Sequence, residues 1–366
     1  MQRQRSRYVH RQALTLIEVL VILAVLGLLL AISSVNLVDQ RVSSRRVMCL
    51  NNMRNVSMSM QWYATDHQGE LPPLTDATRP LGIGFGNRPA SWSVQLLPYL
   101  DQTALYERVQ SVRTKGEANQ LAEVNIEVYT CAADPLEEAA GRLGFVVYTS
   151  YMTSRRWDEL NNTSHALDAY DYPFDGTGTI TSADQDVTFA TGVFWRADAN
   201  TPPTLRANLS QFWRNDGASQ TLMLSENLDT RTFIAQTQQG GWVSHATGDL
   251  AFAVEVAETA PSVVADNSIE AGMGVPGTPS QPMLSTALAP NPSIHLVASA
   301  INSISKMTTP GQSSRPRSIH PGVVNTMFCD GSGKTISENM NHDVYVRLMT
   351  PNGNRYGQLL LQATDF

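Results

Sequence analysis

Cysteine is scarce in this 366-residue chain: Cys49, Cys131 and Cys329 are widely spaced and form no Cys-x-x-Cys pair. That excludes a structural zinc site built on close cysteine spacing. Which two of the three pair, or whether all stay thiols, the sequence leaves open. Positive charge is also in short supply, with 26 Lys and Arg against 33 Asp and Glu and a net charge of -7. A general nucleic-acid binder needs the opposite balance, so no nucleic-acid partner is expected. There is no P-loop, GxGxxG, HExxH or Gly-x-Ser-x-Gly elbow and no internal repeat. Nothing nominates a reaction or a cofactor, and the expectation is a protein that is not an enzyme. Beyond residue 38 no further long apolar run occurs, LLLQA near the C-terminus being far too short to cross a bilayer.

What is present is concentrated at the N-terminus. Arg3, Arg5, Arg7 and Arg11 precede the first acidic residue, Glu18, and residues Leu14 to Ile32 read LTLIEVLVILAVLGLLLAI. As a helix to Leu37 this stretch extends about 36 Å at ~1.5 Å per residue, enough for a single membrane crossing. The arginines place the N-terminus on the cytoplasmic side and the rest outside the inner membrane. A secretory signal peptide, with Ala31-Ile32-Ser33 as its cleavage pattern, or a plain anchor would explain the apolarity. Neither explains Glu18, because a carboxylate among lipid tails costs ~2.5 kcal/mol or more and calls for a partner. Gly27 and Ala31, four apart, allow a close helix contact or are two small residues in an apolar run.

RQALTLIEVL resembles the cleavage and methylation motif of type IV prepilins and type II secretion pseudopilins. The resemblance implies a basic leader over residues 1–13, a cut between Ala13 and Leu14, N-methylation of Leu14, and Glu18 as the fifth mature residue. Its carboxylate would then meet an N-terminal ammonium of a neighbouring subunit or its own. Ala13 stands where the family usually has Gly. The implied partners are a prepilin peptidase, other pilin-like subunits and an assembly platform.

The pattern then changes character. Leu50, Met53, Val56, Met60 and Tyr63 recur at three- and four-residue intervals among polar residues. This predicts an amphipathic stem helix over residues 39–68, continuous with the apolar helix of 14–38 or broken near Ser33-Ser34. Asp66-His67-Gln68-Gly69 and Pro72-Pro73 mark its end. Residues 69–366 form the head. CLNNMRNVSMSMQWYATDHQGELPP, SWSVQLLPYLDQTALYE (Ser91 to Glu107), YTCAADP (Tyr129 to Pro135), Thr149 to Tyr151 and NDGASQTLMLSE (Asn215 to Glu226) follow in order, and His320 precedes Asp330-Gly331 by nine intervening residues. Together these are similar to the pilin-like planctomycete family called domain of unknown function 1559. Arg155 to Asp186 and Ala257 to Ser305 depart from it and read as loop insertions.

Three head features are candidates for chemistry. Val324, Thr326 and Phe328 alternate with Asn325, Met327 and Cys329 before Asp330-Gly331, which predicts a β-hairpin with Gly331 in its turn. His320, Asp330 and Cys329 admit a metal or catalytic reading, but a lone His and a turn Asp without a ligand cluster favour a structural lock on the hairpin. Glu226 follows the apolar Leu222-Met223-Leu224, and no second carboxylate faces it in sequence, so a structural role is the simpler expectation. Asp171, Asp175, Asp184 and Asp186 are calcium candidates without EF-hand spacing, and a solvated acidic loop is the default. The fold expected is α+β and pilin-like: one long N-terminal hydrophobic helix, then a largely antiparallel β head with short helices and long loops. The alternative function is a membrane-tethered extracytoplasmic binding protein that does not polymerise.

Overall fold

The computed structural model describes residues 15–35, 37–134, 141–153, 182, 190, 192–195, 197, 206–228, 230, 232–234, 250–257, 295–298, 301–302, 316–356 and 360–361. Ala13, Leu14, Asp171, Asp175, Asp184 and Asp186 lie outside them, as does most of the two expected insertions. The chain divides into two compact units, Met1–Arg45 and Arg46–Phe366.

In the first unit, helix α1 spans Leu16–Val35, 20 residues. A second helix, α2, spans Leu37–Asp66, and residue 36 is outside the described set. The long apolar N-terminal helix expected from the sequence is not found among the described residues. Among the described residues no helix is long and apolar enough to cross a membrane.

The second unit is α+β. From Arg46 onward α2 carries the apolar stripe that its sequence spacing predicts: Cys49, Met53, Val56, Met60 and Tyr63 are buried, and Leu50 is partly so. Each fully buried apolar side chain contributes about 1.5–3 kcal/mol, so this one face holds the helix in the core. The helix stops at Asp66, where Gln68 and Gly69 take positive φ and the Gly69 N–H donates to the Ala64 carbonyl. Asn52 adds two bonds from its amide to the carbonyls of Glu127 and Thr130, at 3.2 and 3.0 Å.

Among the described residues the main sheet has six strands in the order β6-β5-β3-β4-β7-β8. They are β3 (Phe145–Thr153), β4 (Leu222–Glu226), β5 (Ala251–Ala257), β6 (His295–Ala298), β7 (Val323–Phe328) and β8 (Gly333–Ser337). Every pairing is antiparallel except β3 with β5, which run parallel. Two further strands, β1 (Thr75–Pro80) and β2 (Pro89–Ser91), form a separate antiparallel pair. A short helix, Trp92–Gln95, is capped by Ser91 and buries Trp92, whose indole N–H donates to the Leu250 carbonyl at 2.9 Å. Tyr129 packs edge-on to Trp92 and donates its hydroxyl to the Ser93 carbonyl.

The hairpin of β7 and β8 forms where the alternation and the Asp-Gly pair predict it. The strand β7 is buried on both faces from Val324 to Phe328, so its alternation did not separate an inside from an outside. In the turn, Gly331 has φ +82° and a Cβ there would lie 2.6 Å from Gln61 Nε2. Gly331→Ala is expected to cost about 1–2 kcal/mol, chiefly from the left-handed backbone, with Asn at the same position costing less. Urea unfolding of the two variants checks the order.

Candidate functional site

Two places gather the residues that the sequence singles out. The first is the start of α1. Since the helix begins at Leu16, Thr15 occupies the N-cap and Glu18 the third helical position. The Glu18 carboxylate accepts from the Thr15 N–H at 2.8 Å and from the Thr15 hydroxyl at 3.0 Å, while the Glu18 N–H donates back to that hydroxyl at 3.4 Å. This reciprocal arrangement is a capping box, which satisfies donors that a helix start leaves unpaired. The Thr-x-x-Glu signature for it is plain in the sequence, but the same residues read first as a processing motif. Beyond the cap, Leu16, Ile17, Leu20, Leu23, Leu28 and Leu29 are all between 55 and 83 % exposed.

The second place is a buried polar cluster in the head, assembled from four elements. The stem helix brings Cys49, bonded as a disulfide to Cys131, which follows the turn at Glu127–Tyr129. The end of β4 brings Glu226, and the segment before β7 brings His320. Each of the four is at most 3 % exposed. His320 Nε2 lies 3.6 Å from Cys131 Sγ and 3.4 Å from Glu226 Oε1. One ligand-type atom from each of Cys49, Cys131, Glu226 and His320 falls within 4.8 Å of the others.

The local backbone explains why these side chains meet. Glu226 is held by its neighbour across the sheet: Asn325 donates its amide to Oε1 at 2.9 Å and its backbone N–H to Oε2 at 3.0 Å. The Asn325 Oδ1 is buried and has no partner among the described residues. Leaving such an acceptor unpaired costs about 1–3 kcal/mol, so the amide is oriented for the carboxylate. The His320 segment is fixed by the Arg317 N–H on the Glu226 carbonyl at 2.9 Å and by the His320 N–H on Ser318 Oγ at 3.1 Å. Gly144, leading into β3, donates to the Tyr129 carbonyl and accepts from the Asn227 N–H, drawing the Cys131 turn and the end of β4 together.

His320 therefore faces a sulfur and a carboxylate from distant parts of the chain. Asp330 instead serves its own turn, accepting from the Ser332 N–H at 2.8 Å, while its N–H donates to the Ala218 carbonyl. Cys329 is a buried, unpaired thiol, pushed well up by burial and then by the Asp330 carboxylate, so it stays protonated and unreactive. Asp216, in the segment Asn215 to Glu226, accepts from the backbone of Gly353 and Asn354.

Sequence reasoning did not find the buried ion pair of Asp134 with Arg142, 2.8 Å apart. Asp134 sits three residues after Cys131 in YTCAADP, and nothing in the sequence marks Arg142 as its cation.

Against known families, a model described as "Protein of unknown function (DUF1559)" matches residues 40–343. No curated protein matches this chain, and no solved structure does.

Proposed function

The chain belongs to the DUF1559 family of proteins of unknown function, and from that premise we propose that it is a structural, pilin-like subunit. In this reading a prepilin peptidase removes residues 1–13 and methylates Leu14. The apolar helix then sits in the inner membrane until it joins a pilus-like or secretion-like filament, with the head outside the cytoplasm.

The observation that carries this reading is the contrast along α1. A carboxylate stands at the head of a helix whose large apolar side chains are mostly exposed. A continuous apolar surface of that extent needs a cover of lipid or of other subunits. The capping box supports the role of Glu18, since it holds the carboxylate against the Thr15 N–H, one residue from the ammonium that a cut after Ala13 would create. An unpaired carboxylate in lipid is expensive, and that ammonium would supply its counter-charge. The Cys49–Cys131 disulfide fits a head in an oxidising compartment. No residue of the head is assigned a catalytic role.

Mass spectrometry of the mature N-terminus tests the proposal. Methylated Leu14 is the expected first residue; a chain starting at Ser34, or one retaining Met1 in cells that process other prepilins, overturns it. Glu18→Ala separates the filament from the non-polymerising tether. We expect it to lower incorporation into filaments while membrane insertion and head folding persist, and unchanged incorporation would leave the tether as the better account.

A further inference from the structure

We propose that Cys49, Cys131, Glu226 and His320 form a four-coordinate zinc site when the Cys49–Cys131 disulfide is reduced. The inference concerns the head alone and does not rest on the filament reading.

The spacing around His320 carries it. Tetrahedral zinc with a Zn–N distance of ~2.05 Å and a Zn–S distance of ~2.3 Å sets nitrogen and sulfur about 3.6 Å apart. With an oxygen ligand at a similar ~2.05 Å, nitrogen and oxygen stand about 3.4 Å apart. His320 Nε2 is 3.6 Å from Cys131 Sγ and 3.4 Å from Glu226 Oε1. The second separation is longer than the roughly 2.7–3.2 Å of an ordinary N–H···O bond. Imidazole and carboxylate thus stand at the spacing of two ligands on one ion, although both are buried, where a direct hydrogen bond would be the simpler solution.

The ligand set is chemically suited to zinc. Two thiolates, a neutral imidazole and a carboxylate are all zinc ligands, and four protein ligands make a closed, structural site. Support around the ligands is also in place, because Asn325 fixes both carboxylate oxygens of Glu226. What the oxidised chain lacks is separation of the two sulfurs, which zinc would hold about 3.8 Å apart.

Reduction supplies it. A small dithiol gives two electrons and two protons to the Cys49–Cys131 bond and becomes a cyclic disulfide itself, leaving two protein thiols. Zinc binding then displaces those two protons, and the thiolates, imidazole and carboxylate close on the ion. Reoxidation reverses this, with the sulfurs surrendering two electrons to a disulfide oxidant as they rejoin and release zinc. Disulfide and zinc are alternative closures of one cross-link, from the stem helix to the segment after Glu127–Tyr129.

The test uses the full chain in detergent micelles. It is reduced with a dithiol, desalted without oxygen, exposed to Zn²⁺ and dialysed before elemental analysis. We expect one zinc per reduced chain and none per oxidised chain. Co²⁺ in its place should give thiolate-to-cobalt charge transfer and the intense visible bands of a tetrahedral centre. His320→Ala and Glu226→Gln should each weaken zinc binding by about 100-fold or more, beyond what loss of an outer-shell partner does, while Cys329→Ser should leave it unchanged. If the reduced chain unfolds without metal, zinc should restore its circular dichroism and magnesium should not. Failure of zinc to bind a folded reduced chain or to refold an unfolded one, or undiminished binding in Glu226→Gln, overturns the proposal.

Discussion

Replacing both Cys49 and Cys131 by alanine is expected to lower the stability of the head by about 2–5 kcal/mol, among the largest losses open to any substitution in it. The bond joins residues 82 positions apart, and closing a loop of that length removes much of the freedom of the unfolded chain, worth about 4.5 kcal/mol in the chain-entropy account. The cross-link also anchors the first turn of the stem stripe, ahead of Met53, Val56 and Met60, all fully buried. Losing it frees the turn at Glu127–Tyr129, leaving the two Asn52 bonds to hold that segment to α2. Urea unfolding followed by fluorescence of the buried Trp92 gives the measurement. A midpoint shift worth less than ~1 kcal/mol would show that the stripe alone secures the helix.

Asp134→Ala is expected to cost about 1.5–3 kcal/mol, because it removes a charged hydrogen-bond partner from the Arg142 guanidinium in a setting where both are at most 7 % exposed. A charged hydrogen bond held out of water is worth more than an exposed pair, whose contribution is about 0–1 kcal/mol. Pairing Asp134→Leu with Arg142→Met tests how much of the loss belongs to the pair itself, since the double variant removes both charges together. Guanidinium unfolding of the two variants supplies the comparison. A single variant as stable as the parent would mean that Arg142 finds an equivalent partner elsewhere.

How far the sequence reached depends on whether a signal was local. The stem stripe needed only the recurrence of Leu50, Met53, Val56, Met60 and Tyr63, and the structure buries four of them fully and Leu50 in part. The hairpin needed only alternation and Asp330-Gly331, both within one short stretch. The cluster is different in kind. Glu226 and His320 are far apart in sequence, and what brings them together is the pairing of β4 with β7, set by Ser225 opposite Thr326. A search for a partner near His320 in sequence meets Asp330, whose carboxylate belongs to its own turn. The choice among three cysteine pairings was equally non-local, since only the docking of α2 brings Cys49 to Cys131. The parallel partnership of β3 with β5 had no local mark either, as such a pairing needs a crossover rather than a hairpin.

That parallel pair has a consequence in time. The strand Phe145–Thr153 finds its neighbours at Leu222–Glu226 and Ala251–Ala257, and the sheet then waits for Val323–Phe328. Contacts this distant along the chain make folding slow, because loop closure must come before any pairing rewards it. A ribosome or export channel that has released only the first two hundred residues has released a chain whose middle strand has nothing beside it. During that interval its bare edges invite stray pairing. The last quarter of the polypeptide thus sets the earliest moment at which the head can exist.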